Sequence, residues 1–439
     1  MKKNIIIILS IISFLQISSQ DHITIEEAIQ IGLKQNFDIL ITKQNYNISK
    51  LDNNWTQAGA LPTINFSGNI GKNISDQRNN PTSFIQAMLK SDAINASINA
   101  NWTIFNGFMI KANKEKLQNY EDLSYGNLTL VIENTIQAII LSYYNCIIQK
   151  KRVQLFEDIV NLSRTRLKYE KEKLNIGKSS KIEYLQKKSA MLTDSSNLII
   201  QRMNYSNSVK NFNLLLSIES EKKWSFDDQI VHNMQVYNLK DLEEKTIRNN
   251  QNLINQYINI KISEQNIKLM KTQFYPMIGI NAGATYNQSK YDLGNFEYNG
   301  SSTGKTLNYF SNLSLNLKIF DGGKIFQTIN KIKLQKKRDE LELSKLQQEV
   351  KAELKQYLNE YNHKIILYNL NNKTYEISKI NYDLAIERYK NGLINSFILR
   401  DIELTYIRSG ITFYETSYSL KQSEINLLKI TGGIIEENQ

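Results

Sequence analysis

The chain has 439 residues and a formal net charge of +11, with only 18 Gly, 3 Pro and 1 Cys. So few turn-formers exclude a chain of many short elements, and the single Cys146 excludes a disulfide framework and a thiolate metal cluster. The positive residues are spread along the chain rather than clustered, which argues for solvated helix faces and against a nucleic-acid footprint.

His22, His232 and His363 lie far apart, none beside a second metal ligand, and each reads as structural. No nucleophile–base pair, metal cluster or phosphate loop is present, so the sequence predicts neither an enzyme nor a cofactor.

The chain opens on Lys2 and Lys3, an apolar run from Ile5 to Leu15, then Ser18-Ser19. This pattern predicts a secretory signal peptide over 1–19, cut near Ser19, whose removal leaves 11 − 2 = +9. No Cys follows the cut, so no lipid anchor is expected there. No later run of about 18 apolar residues exists, so any contact with a membrane must be made by strands.

Thr24-Ile25-Glu26-Glu27 is a capping-box pattern, predicting a helix to about Gly59. Pro62 then ends helical periodicity, and two alternating strands are expected at about 62–74 and 94–106. Ile64, Phe66 and Ile70 share one face, with Asn65, Ser67 and Asn69 on the other. Ile94 to Ile104 alternate likewise against Asn95, Ser97, Asn99 and Asn101. Spans of about ten residues with uncharged Asn/Ser/Thr opposite the apolar face suit tilted membrane strands.

Gly107 starts a second helix running to about Ile176, roughly 105 Å at 1.5 Å per residue. Its apolar positions Leu128, Ile132, Ile136, Ile139, Tyr143 and Ile147 follow an eleven-residue repeat, whose seam hardly drifts around the axis. At Gly177 the chain should reverse into a helix ending near Ser217. Residues 218–238, with Trp224 and Phe226, connect to a second copy of the same plan.

In that copy, residues 239–431, Pro276 ends a helix, strands are expected at about 276–290 and 306–321, and Gly322 restarts helix. Asn281 and Asn316 fall on the polar faces of these strands. The next reversal is at Gly392, and 432–439 form a tail. The prolines are 276 − 62 = 214 residues apart, and the glycines 392 − 177 = 215. The chain is therefore an internal duplication, divided as repeats 20–217 and 239–431. Polar loops at about 75–93 and 291–305 join the strands of each hairpin.

The Ala-Leu-Pro62 and Phe-Tyr-Pro276 switches, the Phe-Asn-Gly107 and Phe-Asp-Gly322-Gly323 switches and the paired Tyr…Gly reversals resemble the TolC family of outer-membrane efflux proteins over nearly the whole chain past the leader. The resemblance implies a mainly α fold with a transmembrane β-barrel. It implies a homotrimer pooling four strands per chain, with helices continuing across the periplasm of a Gram-negative bacterium. It also implies the exit duct of a tripartite efflux or type I secretion system, partnered by a periplasmic adaptor and an inner-membrane RND or ABC transporter. Asn65, Asn99, Asn101, Asn281 and Asn316 would line the lumen, and the opposite face would meet outer-membrane lipid. The reversals (Gly177, Lys178, Ser179, Gly392, Leu393, Asn395, Ser396) would dock the adaptor. Alignment on the glycines puts a periplasmic gate at Tyr389, Glu183 and Asp401. Ile394 and Ile398 stand there in place of the family's Arg and second Asp, making the constriction partly hydrophobic. A secreted coiled-coil structural or adhesive protein is the alternative, but it predicts heptads and explains the strands poorly.

Overall fold

A computed structural model describes residues 21–227, 230–293 and 301–435. The predicted leader, part of the 291–305 loop and the end of the tail lie outside them. The chain forms two compact units, each drawing on both repeats. One, the sheet unit, comprises Asn45–Tyr125 and Asn255–Leu343. The other, the helical unit, holds the chain up to Gln44, Gly126–Ile254 and Ser344 onward.

In chain order the elements are β1 (Asp21–His22), α1 (Ile25–Gln35), α2 (Phe37–Asp52), β2 (Thr63–Asp76), β3 (Met88–Asn106), α3 (Met109–Asn175) and α4 (Lys181–Leu215). There follow β4 (Trp224–Ser225), α5 (Leu239–Asn249), α6 (Gln251–Lys271), β5 (Met277–Leu293), β6 (Ser301–Asn316), α7 (Lys324–Lys390) and α8 (Ser396–Ile430). The duplication is nearly residue for residue. The helices α3 and α7 have 67 residues each, and α4 and α8 have 35.

In the sheet unit, β2-β3-β5-β6 form one antiparallel sheet in that order. Pairing extends further into the hairpins than the apolar alternation does, with Asp76 opposite Met88. Residues 88–92 carry no apolar face, so periodicity could not reveal them, but Lys72 and Asp92 pair across the strands at 3.7 Å. At the other end β6 stops at Asn316, because Met277 is the last residue β5 offers as partner. Residues 317–321, expected as strand, have none. A bulge sets Thr103 opposite Gly279 and Phe105 opposite Ile278, making Ile104 the extra residue.

In the helical unit the core gathers Ile23, Ile136, Ile139, Tyr143, Phe212, Trp224 and Phe226. The predicted apolar seam of α3 is its spine. Tyr143 donates to the Ile23 carbonyl at 3.1 Å and to Asp227 at 2.7 Å. Part of the connecting segment joins this core through a short parallel bridge between β1 and β4, and Trp224 Nε1 donates to Asn213 at 2.6 Å.

The expected helix from Thr24 to Gly59 is broken at Asn36, which is extended. Its amide donates to the Leu215 carbonyl at 2.9 Å, while its Oδ1 accepts from the Asp38 and Ile39 amides. Asn250 repeats this 214 residues later, donating to the Ile430 carbonyl at 3.1 Å. Each Asn trades one turn of helix for a tie to the end of a returning helix.

Candidate functional site

The two glycine reversals close α3 and α7. Gly177 has φ 73° and Gly392 φ 74°, in the left-handed region that an L side chain adopts only with strain. Lys178 N–H donates back to the Lys173 carbonyl at 2.8 Å, and Leu393 N–H to Arg388 at 2.9 Å. Both close their helices with the same C-terminal motif. The helix after each turn is then capped, by Ser180 with Glu183 in a reciprocal box and by Asn395 through the Phe397 and Ile398 amides. Gly177, Lys178, Gly392, Leu393 and Asn395 are exposed at the turns, while Ser179 and Ser396 are half-buried.

The predicted gate residues divide. Tyr389 is half-buried and lines a cavity of about 270 Å³ with Arg166, Tyr169, Ile386 and Leu399; burial raises its phenol pKa. Glu183 is committed to its cap. The Ser179 hydroxyl lies between Glu170 and Glu183, 2.7 Å from the latter, and this bond holds the Glu183 carboxyl below its usual range. Asp401 is exposed and its carboxylate makes no ion pair among the described residues. Ile394 is half-buried and Ile398 exposed. The single chain brings none of these into a closed constriction.

What it does assemble is a buried ionic cluster that sequence reasoning missed. Arg166 of α3 donates to Glu403 of α8 at 2.6 Å, and Arg400 reaches the same carboxylate at 3.2 Å. Arg400 also grips Asp194 of α4 through two bonds of 2.9 and 2.8 Å, and Ser163 donates to Asp194. Glu403 and Asp194 are almost wholly buried. Two cations and two anions balance, as a buried cluster must. Burial works against the charged form of Arg400, but its bonds to Asp194 and Glu403 hold the pKa above its ordinary value. A signal was available: Glu403 falls on the face carrying Leu399, Tyr406 and Ile407, so it interrupts an apolar seam.

The sheet presents two unlike faces. Register puts Asn65, Asn99, Asn101, Asn281 and Asn316 on one of them, with Asn101 and Asn281 bonded side chain to side chain at 2.5 Å. Phe310 interrupts this polar face. It sits over Gly283, where a Cβ would come within 2.9 Å of the ring and 2.3 Å of the Ile98 carbonyl. On the other face Ile64, Phe66, Ile70, Ile98, Leu313 and Leu315 are bare, with Ile70 81% exposed and Leu313 73%. A face this apolar suits hydrocarbon rather than water.

The switch at Gly107 is sterically closed. Its φ is +65°, and a Cβ there would lie 2.5 Å from the Thr272 carbonyl and 2.6 Å from Tyr275 Cβ. Phe108 follows at φ 68°, where the second repeat has Gly323.

The sequence pattern of outer membrane efflux proteins matches residues 28–216 and 242–433, that is, both repeats. The chain belongs to this family. No curated protein matches the sequence. Among solved structures, this outer membrane efflux protein is similar to the Campylobacter jejuni CmeC outer membrane channel at TM-score 0.77. Identity there is 15%, over 94% of this chain and 89% of that one. It is also similar to the outer membrane protein VceC of Vibrio cholerae, at 0.71 with 9% identity over 93% and 96%. The open state of the Neisseria gonorrhoeae MtrE channel gives 0.69 with 14% identity over 93% and 89%.

The protein is therefore an outer-membrane efflux exit duct with a helical periplasmic extension, and not an enzyme. Channels of its family are trimers that serve tripartite efflux systems.

Proposed function

We propose that three copies of this chain pool their four strands into a twelve-stranded barrel. The Asn-rich face would line a wide aqueous lumen and the Ile/Leu/Phe face would meet outer-membrane lipid. One observation carries this reading: the sheet has two unpaired edges, β2 and β6, beneath an exposed apolar face. Unpaired backbone groups cannot be left in hydrocarbon. Four strands are too few to close, and eight would leave an interior filled by side chains.

The reversals form the docking tip for a periplasmic adaptor, which links the duct to an inner-membrane RND or ABC transporter. Both turns are exposed and capped, so they offer a preformed surface. Tyr389, Glu183 and Asp401, with Ile394 and Ile398, form the closing ring behind that tip. Asp401, exposed and in no ion pair among the described residues, faces its counterparts there. Substrate choice is left to the pump, because the polar face is mostly uncharged Asn, Ser and Thr.

Ser179→Arg and Ser396→Arg test the docking assignment. Each should abolish export while trimers persist in the outer membrane. Unchanged export in both variants would refute the assignment.

A further inference from the structure

The helical unit holds a polar cavity of about 220 Å³ between α3, the α5–α6 junction, α7 and α8. Three charged side chains line it: Glu133 from α3, Glu353 from α7 and Lys429 from α8. Two of them are engaged. Lys429 donates to Gln137 at 2.7 Å, and Gln137 in turn donates to Asn426 at 2.7 Å. Glu353 accepts from Tyr357 at 2.6 Å and is exposed. Glu133 differs from both. It is 5% exposed, and its carboxyl makes no hydrogen bond or ion pair among the described residues. A carboxylate buried without a partner is costly, and native structures seldom leave one so.

The duplication shows that the fold does not require this charge. Helices α3 and α7 begin 324 − 109 = 215 residues apart, and α4 and α8 begin 396 − 181 = 215 apart. On that offset the counterparts of Glu133, Glu353 and Lys429 are Gln348, Ala138 and Leu214. The equivalent helices of the other repeat therefore form with none of the three charges.

We infer that this cavity binds a primary ammonium group carried on a short, otherwise neutral organic chain, with Glu133 as its counter-ion. An ammonium donates three hydrogen bonds. Glu133 accepts one. Asn134 and Asn252 line the same cavity with side chains that make no hydrogen bond among the described residues, and their amide oxygens can accept the others. With Glu133 ionised the lining carries two negative charges and one positive, so a single cation balances it. Val350 and Ile430, both buried, supply an apolar wall for the chain. The volume is that of about seven waters at roughly 30 Å³ each, enough for a chain of a few carbons. A bare divalent ion suits the cavity less. It takes about six or more oxygens, whereas Lys429 shares the space and no group of three carboxylate, His or Cys ligands occurs among the described residues.

Proton and ammonium compete for Glu133. Burial raises its carboxyl to about 7, with Lys429 of α8 opposing. The other titratable groups on the wall are Glu353 and Tyr357 of α7, the latter pushed up to about 12 and so neutral, while the α5–α6 junction contributes only amides. Affinity should therefore rise about tenfold between pH 6 and pH 8. The cavity lies within one chain, so its occupancy is independent of the ring of copies proposed above.

Titration of the full-length, detergent-solubilised protein with n-butylammonium chloride at pH 8 tests the site, read by the unfolding midpoint and by calorimetric binding. The midpoint should rise and saturate. It should not rise with 1-butanol, which has the chain without the charge, or with potassium chloride, which has the charge without N–H donors. Glu133→Gln keeps the shape and should weaken binding about tenfold or more and abolish its pH dependence. An equal response to butanol or potassium chloride, or no response to butylammonium, overturns the inference on the unmutated chain alone. An equal response in Glu133→Gln overturns it as well.

Discussion

The buried Arg166–Glu403 contact sets up the sharpest test of how the helical unit is held. Glu403 accepts from Arg166 at 2.6 Å and from Arg400 at 3.2 Å, with essentially no solvent exposure. In Glu403→Leu, Arg400 keeps both bonds to Asp194, but Arg166 loses its recorded partner, and its Nε and Nη2 already have none. Removing one member of a buried pair costs about 3–5 kcal/mol because the other charge stays desolvated. With Arg400 still compensated, the lower end applies, about 3 kcal/mol, or a drop of roughly 6–12 °C in the unfolding midpoint for a unit of this size. The double variant Arg166→Met with Glu403→Leu removes both charges and should return to within about 1 kcal/mol of wild type. The assay is thermal unfolding of detergent-solubilised protein, followed by circular dichroism. A single variant costing less than about 1 kcal/mol, or a double variant as unstable as the single, refutes the reasoning.

Glu133 is buried in a polar cavity of about 220 Å³ with Glu353 and Lys429. Burial raises its carboxyl to about 7, with Lys429 partly opposing. The fold thus favours the protonated form, a contribution present below the unfolded value near 4.5 and lost as pH rises through about 7, worth up to about 3 kcal/mol. Glu133→Gln should flatten the pH 5–8 stability profile; an unchanged slope in denaturant titrations argues against this. Asp401→Ala and the pair Tyr389→Phe with Glu183→Ala should raise single-channel conductance or relieve its block by divalent cations. Unaltered conductance and block in both would move the gate elsewhere. With the hairpin loops facing the cell exterior, an epitope inserted at Ser83, in the turn between β2 and β3, should be labelled on intact cells, and labelling only after lysis would refute that orientation.

The sequence by itself determined the repeat, the helix-to-strand switches, the glycine reversals and the two faces of each strand. These are local: a Pro without an N–H, a Gly that takes positive φ, and a side-chain period of two or of 3.6 all act within a few residues. The match of Pro62 with Pro276 and of Gly177 with Gly392 needed nothing but counting. Tertiary structure alone decided which groups far apart in sequence meet. Asn36 looked like one more polar helical residue until its amide found the Leu215 carbonyl, 179 residues away, and broke the helix there. Arg166 and Glu403 read as solvated charges, yet the packing of α3 on α8 buried them and made them partners across 237 residues. The bulge at Ile104 and the early end of β6 were likewise hidden, because register depends on what the neighbouring strand offers. Burial is a property of the partner surface as much as of the residue, and Leu317, Ile319 and Phe320, past the last residue pair of β6, stand exposed.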